Sequence, residues 1–342
     1  MPIRIGIIGM GFMGRTHYEA YQKIPDAQVV MIADRDPKRA AGDVRSKWGN
    51  LGTGAIEQIP MDRIRGVTDW TELVKSDQVD VVDVCSATPV HVHYSLTALA
   101  QGKHVICEKP LATSSDHARV LLDAARKSKG LFMPAMCLRF WPEWQWLNRA
   151  VENQTYGPVR SAVFRRLGSM PGGWFRDGNL SGGALFDLHV HDADFIYHLF
   201  GRPKAVYGRG YSLEAQRIDH LLVQYIYDDP KLVAAEGGWS LADGWEFDAT
   251  YTVNFESATA DFQRVRQPAL KLCRKGKCEP VLLDEPDGFV GELSYFLNCI
   301  KTGRKPKRVT IEDAINCLEM IEAEKKSIDA RQVVILPTTA DK

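Results

Sequence analysis

Lys109 stands where a basic side chain could act on a substrate oxygen. It follows the predicted strand Val105–Cys107 and lies between Glu108 and Pro110, a proline that fixes the backbone and is a candidate for a cis peptide bond. A lysine ammonium in this setting can donate a hydrogen bond to a hydroxyl group and stabilise the negative charge that develops on its oxygen. The alternative is a surface lysine in a turn.

Asp187 and His191 form a second candidate for acid–base chemistry. They are four residues apart in a segment that predicts one helix over 184–200, so they would share a face that Asp194 and His198 extend. An imidazole beside a carboxylate suits a general base that removes an alcohol proton while a hydride leaves the carbon. Two alternatives stay open. One is helix capping by Asp187 with a packed His191, and the other is chelation of a metal ion by the pair, although we expect no metal.

A glycine-rich turn near the N-terminus would position these groups against a cofactor. The β-branched run 2–8 leads into Gly9-Met10-Gly11-Phe12-Met13-Gly14, a helix is predicted next, and a second run over 29–33 ends at Asp34. This order is typical of dinucleotide-binding folds, in which the glycines allow a tight turn, close approach of a pyrophosphate and close helix packing. The helix N-terminus attracts the phosphates. The alternative is a turn that merely needs a positive φ.

Asp34 bears on the choice between the two nicotinamide cofactors. It lies twenty residues after Gly14, and its carboxylate could accept hydrogen bonds from both hydroxyls of an adenosine ribose. The same carboxylate would repel the 2′-phosphate of NADP. Arg35 leaves NADP open, because a guanidinium can stack on adenine or pair with that phosphate. We therefore expect NAD, with NADP as the alternative.

Polar residues follow two further predicted strands at the edge where doubly wound folds bind ligands. The run 79–85 ends at Ser86-Ala87-Thr88-Pro89, and Val105–Cys107 ends at Glu108-Lys109. His93 is a weaker candidate for cofactor contact, with packing at a helix start as the alternative. The predicted cofactor contacts are Gly9, Gly11, Phe12, Met13, Gly14, Asp34, Arg35, Ser86, Thr88, Pro89, His93, Glu108 and Lys109.

The pattern of the chain changes near residue 136. Strands alternate with helices before it, which predicts a Rossmann-type doubly wound parallel sheet. Successive strands with hairpin-like gaps over 205–283 predict a large, mostly antiparallel open sheet, and two helices follow over 289–302 and 311–330. The predicted class is α/β, with a dinucleotide-binding domain over 1–136 and a substrate domain over 137–342. Arg139 and Trp174, the latter in a glycine-rich loop, are further candidates for substrate contact.

Composition narrows the class of protein. The 342 residues carry 43 Lys and Arg and 43 Asp and Glu, so the net charge is zero, which argues against a nucleic-acid or anionic-membrane partner. No apolar run reaches the length of a membrane span. Seven scattered cysteines, and a first strand that leaves no room for a signal peptide, favour a cytoplasmic protein. Cys273 and Cys278 could pair or share a metal, but two incidental thiols are the preferred interpretation.

Several of these motifs coincide with one family. The chain resembles, nearly end to end, the Gfo/Idh/MocA family of glucose–fructose oxidoreductase and inositol dehydrogenase. The resemblance is carried by GMGFMG, VDVVDVCSATPVHVH, GKHVICEKPL, GGALFDLHVHDADFIYHLFG and GELSYFLNCIKTGRKP. It implies a Rossmann domain followed by an α/β domain whose open sheet forms a homodimer or homotetramer interface. It also implies a catalytic lysine at Lys109, a substrate-binding aspartate at Asp187 and a proton-transferring histidine at His191.

The resemblance implies a function and shows two departures. It implies an NAD(P)-dependent oxidoreductase acting on a small-molecule sugar or cyclic polyol, with Lys109, Asp187 and His191 as substrate contacts. His189 stands where many members have glycine, and Ser181 replaces the first glycine of a usual triplet. Two other functions are weighed against it: an enzyme that uses bound NAD transiently in non-redox sugar chemistry such as glycoside cleavage, and a non-catalytic sugar or nucleotide sensor.

Overall fold

The computed structural model describes residues 1–45 and 56–337. These divide into two compact units, the first comprising Met1–Phe140 and Pro286–Ile315, the second Trp141–Glu285 and the residues from Asn316 onward. Residues 286–315 thus belong to the first unit, although residues 141–285 of the second unit precede them in the chain. The single domain boundary predicted after residue 136 does not include this return.

The elements before residue 141 alternate between strand and helix, with additional 3₁₀ turns at Thr88–Val90 and Cys137–Phe140. They are β1 (Ile3–Ile8), α1 (Phe12–Tyr21), β2 (Ala27–Ala33), α2 (Pro37–Ala40), β3 (Arg65–Val67), α3 (Trp70–Lys75), β4 (Val81–Val84), α4 (His91–Ala100), β5 (His104–Glu108), α5 (Ser115–Lys127) and β6 (Phe132–Ala135).

The elements after residue 140 are mostly strands, with one 3₁₀ turn at Gly173–Arg176. They are α6 (Pro142–Glu152), β7 (Val159–Ser169), α7 (Gly178–Ser181), α8 (Gly183–Asp187), α9 (Val190–Phe200), β8 (Ala205–Tyr211), β9 (His220–Ile226), β10 (Leu232–Leu241), β11 (Asp248–Phe255), β12 (Thr259–Gln263), β13 (Leu270–Arg274), β14 (Lys277–Pro280), α10 (Gly288–Thr302), α11 (Ile311–Ala330) and β15 (Val334–Ile335).

The first unit is built on a parallel sheet. Within the described residues this sheet has six strands in the order β3-β2-β1-β4-β5-β6, all paired in parallel. The order reverses between β1 and β4, and ligands of such sheets bind outside the carboxyl ends of the strands at that reversal. The predicted doubly wound Rossmann sheet is confirmed. Strand β3 and helix α3, which the sequence did not reveal, complete the edge beside β2.

The second unit is built on a large sheet that is mostly antiparallel. Counted over the part of the chain that is described, it has nine strands in the order β14-β13-β12-β11-β7-β10-β9-β8-β15. Strands β7 and β10 pair in parallel, and the other neighbours pair antiparallel. One face packs on α6 and α9, where Trp144 lies among Phe164, Phe195 and Tyr251. The predicted open antiparallel sheet is confirmed.

The single helix predicted over 184–200 is wrong. Helix α8 ends at Asp187, and α9 begins at Val190. Between them the carbonyl of Ala184 accepts from the backbone amides of both Leu188 and His189, at 3.0 and 2.8 Å, so the turn widens there. The cause is tertiary, because the His189 side chain turns into the interior of the unit. Four-residue spacing on one helix therefore does not relate Asp187 to His191.

The preferred interpretation of Cys273 and Cys278 as incidental thiols is also wrong. The two residues are directly opposite in the β13–β14 hairpin, and their sulfurs form a disulfide. The hairpin turn at Lys275 and Gly276 uses positive φ at both residues, which is the geometry of a tight two-residue hairpin that brings facing side chains together.

Across the residues described, every helix is too short or too polar to span a lipid bilayer.

Candidate active site

The glycine turn of the first unit has the shape that a pyrophosphate requires. Gly9 adopts φ +95°, and a Cβ on Gly14 would lie 1.9 Å from the carbonyl oxygen of Gly9, so both positions need glycine for the protein's own packing. A Cβ on Gly11 would meet nothing within 4 Å, so this side of the turn is open. No side chain among the described residues caps the N-terminus of α1, whose first amides lie at Phe12 and Met13. These features fit a dinucleotide.

Asp34 connects the end of β2 to the glycine turn. Its Oδ2 accepts the backbone amide of Met10 at 2.8 Å, and its Oδ1 accepts that of Asp36 at 2.9 Å. The Arg39 guanidinium lies 3.9 Å from Oδ2. A carboxylate oxygen has about two acceptor positions, so both oxygens keep capacity for ribose hydroxyls. Arg35 beside it is exposed.

A small aromatic group lies near Asp34. Trp70 stacks on Tyr94 with ring centroids 4.2 Å apart, and the exposed His93 meets Trp70 edge-on at 5.4 Å. Burial raises the pKa of the Tyr94 hydroxyl, and the charges of Arg35 and Asp34 lower and raise it in turn. His93 therefore belongs to a partly exposed aromatic group on the cofactor side of the unit.

The turns after β4 and β5 are joined by His91, the first residue of α4. His91 is buried, with Nδ1 2.9 Å from the carbonyl oxygen of Pro110 and Nε2 2.7 Å from that of Ser86. Burial lowers the pKa of His91, while the two carbonyl contacts act to raise it. Ser86 also donates its hydroxyl to the carbonyl of Ile8 at 3.2 Å, and Thr88 is buried in the turn that follows. The residues predicted at the carboxyl edge of the parallel sheet thus lie on one rim, and the contacts of His91 hold its two turns together.

Lys109 lies on this rim, half-buried, at the end of β5. Its backbone amide donates to Glu108 Oε2 at 3.1 Å, and its peptide bond to Pro110 is cis. The backbone is therefore fixed by Glu108 on one side and by the His91 contact to Pro110 on the other.

In the second unit, Asp187 and His191 are distinguished by their exposure. Between residues 183 and 196 every other side chain is buried, whereas these two are partly exposed. Asp187 is the last residue of α8, and His191 lies in the first turn of α9, so the break between the helices presents both. Lys109 belongs to the first unit and this pair to the second.

Two polar neighbours of the pair have partners inside the second unit. His189 is buried, with Nε2 3.0 Å from the Tyr225 hydroxyl and 3.2 Å from Glu324 Oε2. Asp192 is buried and accepts two hydrogen bonds from Arg166, at 2.8 and 3.2 Å. Both side chains make their contacts in the interior of the second unit. Asp187 and His191 are therefore the polar groups of this segment that a ligand could reach.

The two other predicted substrate contacts differ from each other. Arg139 is buried in the first unit and donates to the carbonyl of Arg308 at 2.8 Å and to Asp313 Oδ2 at 3.1 Å, a setting that favours a structural role. Trp174 is partly exposed in its 3₁₀ turn and stacks on Phe175 with centroids 4.4 Å apart. Phe175 in turn packs on the buried cluster of Ala184, Leu188 and Trp239. The Trp174 ring is therefore supported by Phe175 and presents an aromatic surface.

Of one buried polar group, sequence reasoning named only Glu108, and it named Glu108 as a cofactor contact. His17 on α1, Asp83 on β4 and Glu108 on β5 lie together inside the first unit. The signal was weak, because a lone histidine in a predicted helix is common. Asp83 within the apolar run VDVVDV was the stronger hint, since a charge inside a buried strand requires a partner.

Comparison with known proteins places the chain. Residues 3–136 match the family model described as oxidoreductase family, NAD-binding Rossmann fold, and residues 144–261 match the GFO/IDH/MocA C-terminal domain. The chain belongs to the GFO/IDH/MocA family. Its N-terminal unit is therefore an NAD-binding Rossmann fold, in agreement with the open side at Gly11.

Relatives of this GFO/IDH/MocA protein include named dehydrogenases. It is 26% identical to myo-inositol 2-dehydrogenase of Thermotoga maritima, over 98% of each chain. It is 30% identical to trans-1,2-dihydrobenzene-1,2-diol dehydrogenase of Xenopus laevis, over 63% of this chain and 62% of that one. A solved structure of levoglucosan dehydrogenase in complex with NADH and levoglucosan superposes with a TM-score of 0.84 at 20% identity, covering 99% of this chain and 100% of that one, which shows the shared fold.

Proposed function

We propose that this protein is an NAD-dependent dehydrogenase that oxidises a ring hydroxyl of a sugar or cyclic polyol. The observation that carries the proposal is the exposure pattern of residues 183–196, in which Asp187 and His191 alone reach the surface while their polar neighbours are held inside. A general base and a hydroxyl-binding carboxylate are the groups that such an oxidation needs.

The first unit would hold the cofactor. The open side at Gly11 and the amides of Phe12 and Met13 suit the pyrophosphate, and Asp34 suits the ribose hydroxyls. Ser86, Thr88, Pro89 and the aromatic group with His93 line the same rim, as Arg35 does beyond Asp34. When bound, NAD supplies the hydride acceptor. The position of Asp34 favours NAD over NADP, because a 2′-phosphate would meet its carboxylate.

Three side chains would act on the substrate. An imidazole nitrogen of His191 removes the proton of the reacting hydroxyl, so that the carbon can release its hydride and become a carbonyl. The Lys109 ammonium donates to a substrate oxygen and stabilises the negative charge that develops on it. Asp187 accepts a hydrogen bond from a neighbouring hydroxyl and orients the ring. Trp174, supported by Phe175, offers a flat surface for a sugar ring face.

The substrate class follows from what the named relatives share. Myo-inositol, levoglucosan and a dihydrobenzene diol are all rings that carry CH–OH groups, and the relatives named after them are dehydrogenases. Vicinal hydroxyls suit an aspartate beside a histidine, since one hydroxyl is bound while the other reacts. We propose a ring with at least two adjacent hydroxyls.

The first experiment follows NADH absorbance while purified protein is offered inositols, aldoses and sugar acids with NAD or, separately, NADP. A rise with one substrate and NAD is the expected result. Lys109→Ala and His191→Ala should each lower kcat by about 10²–10⁴-fold, the range for a lost acid–base or oxyanion group, while the Kd for NAD stays within about twofold.

The matched control is His117→Ala, which removes an exposed histidine of α5 in the first unit and should leave kcat unchanged. Wild-type rates in the Lys109 and His191 variants would reject their roles. Bound NAD without net turnover on any substrate would replace the dehydrogenase with transient oxidation or with sensing.

We also propose the division of labour between the parts of the chain and its assembly. Residues 1–136 would bind the cofactor, and residues 137–342 would bind substrate and join two or four copies through the large sheet. Support comes from exposed apolar side chains on neighbouring strands of that sheet: Val163 on β7, Leu222 on β9 and Leu232 on β10. A cytoplasmic location is proposed as well, supported by the five cysteines that carry free thiols.

A further inference from the structure

The interior of the first unit holds four ionisable side chains that the proposed reaction does not use. His17 on α1, Asp83 on β4, Glu108 on β5 and Glu292 on α10 are all buried. Charges are expensive to bury unless they are paired, so such a group needs a reason to exist. The Phe289 ring of α10 lies 6.1 Å from the His17 ring and covers it from that side.

His17 lies between two carboxylates. Its Nδ1 is 2.8 Å from Asp83 Oδ2, and its Nε2 is 3.0 Å from Glu108 Oε1. The contact with Asp83 is a hydrogen bond. The contact with Glu108 lacks the alignment of a hydrogen bond, so the attraction there is between charges. A neutral imidazole has one N–H and would turn a lone pair toward one of the carboxylates. Only the imidazolium gives both carboxylates an attractive partner.

The surrounding groups agree with a positive charge on His17. Burial lowers the pKa of His17, but Asp83 and the other neighbours outweigh it, and the pKa lies well above its usual value. Asp83 also accepts from the Tyr21 hydroxyl at 3.0 Å and from the Cys85 thiol at 3.2 Å. Burial, with the charge of Glu108, raises the pKa of Glu292 well above its usual value.

Glu108 connects this buried charge to the residue proposed to act on substrate. One of its oxygens, Oε1, faces His17, and the other, Oε2, accepts the backbone amide of Lys109 at 3.1 Å. An ionised Glu108 accepts that hydrogen bond more strongly than a neutral one. Without His17, Glu108 Oε1 would lose its charged partner, and the side chain would no longer be held in this orientation.

We propose that His17 is a positioning residue for Lys109: as a buried imidazolium it pairs with Glu108 and fixes the orientation of its carboxylate, and Glu108 holds the backbone of Lys109 at the end of β5. The inference rests on the proposed function, in which the Lys109 ammonium stabilises the charge on a substrate oxygen. A displacement of about 1 Å at such a group can cost on the order of hundredfold in rate, which is why a side chain that never meets substrate can affect turnover.

A metal ion is the competing explanation for this cluster. His17, Asp83 and Cys85 offer one ligand atom each, and these atoms all lie within 4.8 Å of one another. A metal would need the Cys85 thiolate, yet burial and the charge of Asp83 raise the pKa of that thiol well above its usual value. The thiol proton is also directed at Asp83. These contacts therefore favour a proton network over a metal site.

The test compares His17→Gln, Glu108→Gln and the double variant in the intact protein. Each single variant should lower kcat by about 10–100-fold, with the NAD Kd within about twofold of wild type. The double variant should be little worse than either single one, because the two residues act through one contact. His104→Gln is the matched control, since His104 lies on the same strand at its far end, where it accepts the Leu131 amide at 3.0 Å, and it should leave kcat unchanged.

Two readouts separate failure of this inference from failure of the proposed function. Ring ¹⁵N NMR, assigned by loss of the signal in His17→Gln, should show His17 doubly protonated at pH 7 whether or not a substrate is known. A neutral ring there, a stoichiometric metal by elemental analysis, or wild-type kcat in an active His17→Gln protein would each overturn the inference. An inactive wild-type protein would overturn the proposed function and with it the effect on Lys109, while the NMR result would still decide the charge of His17.

Discussion

At the scale of residues, His189 shows how the second unit separates its chemical groups from its structural ones. The imidazole lies between Asp187 and His191 in sequence but faces inward to Tyr225 and Glu324. Strand β10 makes room for it with Gly237, where a Cβ would lie 3.0 Å from His189 Nδ1. Burial, together with Glu324, raises the pKa of the Tyr225 hydroxyl well above its usual value. The larger side chain at 189 is thus matched by a smaller one opposite.

His189→Ala should destabilise the protein, because it leaves the fully buried Glu324 without its imidazole contact. Removing one partner of a buried charged pair typically costs about 3–5 kcal/mol, and we expect a loss near the lower end in urea-induced unfolding. Adding Glu324→Gln to His189→Ala should recover part of that loss, since no buried carboxylate remains. A loss below about 0.5 kcal/mol, as is usual at surface sites, would show that the contact does not stabilise the unit.

At the scale of elements, the turn between β1 and α1 separates two demands on glycine. Gly14 has no room for a side chain because α1 crosses directly over the carbonyl of Gly9, whereas Gly11 has open space above it. Gly11 also has φ −74°, a value that any residue adopts. The protein's own packing accounts for the first glycine, whereas no contact of the described residues requires the second, which suits the close approach of a pyrophosphate.

Gly11→Ala and Gly14→Ala should therefore fail in different ways. Gly11→Ala should keep the melting temperature within about 1–2 °C while raising the NAD Kd at least about tenfold, because its methyl group occupies the side open to the pyrophosphate. Gly14→Ala should lower stability by about 1–3 kcal/mol through overpacking against Gly9. Thermal unfolding and NAD titration of the two variants make the comparison. Equal NAD affinity in Gly11→Ala and wild type would show that the pyrophosphate does not approach there.

The elements also show what sequence can and cannot predict. Helix α11 was predicted at Ile311–Ala330, and most strands were placed within two residues, because hydrophobic patterning is local information. The break between α8 and α9 was not predicted, because it depends on the contacts of His189 with Tyr225 and Glu324, which are distant in sequence. The roles of His91 and His17 were missed for the same reason: a buried imidazole is recognised by its partners, which come from other strands. The exposure of Asp187 and His191 likewise became visible only with the break.

At the scale of the whole molecule, the outer face of the nine-stranded sheet carries exposed apolar side chains among charged ones. Val163, Leu222 and Leu232 are 43%, 52% and 63% exposed on the adjacent strands β7, β9 and β10. Arg165 and Glu236 form an ion pair of 2.7 Å on the same face. In the register of these strands Leu222, Glu236 and Arg165 stand side by side, so the face mixes apolar and charged groups, as surfaces that join protein chains do.

Leu222→Asp should weaken association of two copies by at least about tenfold in Kd, because it adds a charge beside Glu236 in the middle of this face. Sedimentation velocity across a concentration series measures the change. Leu282→Asp is the control, since Leu282 is 84% exposed outside the strands and should leave association unchanged. A wild-type protein that sediments as a monomer, or a Leu222→Asp protein that assembles like wild type, would show that this face does not join two copies.

The return of residues 286–315 to the first unit has a consequence for how the protein is made. Helix α10 packs on α1 and contributes Glu292 to the buried network, but residues 141–285 must be synthesised before it emerges from the ribosome. At about 5–20 residues per second, that interval is roughly 7–30 s. During this time the nascent Rossmann sheet carries an uncovered helix face, so the part of the chain that begins folding first is completed almost last.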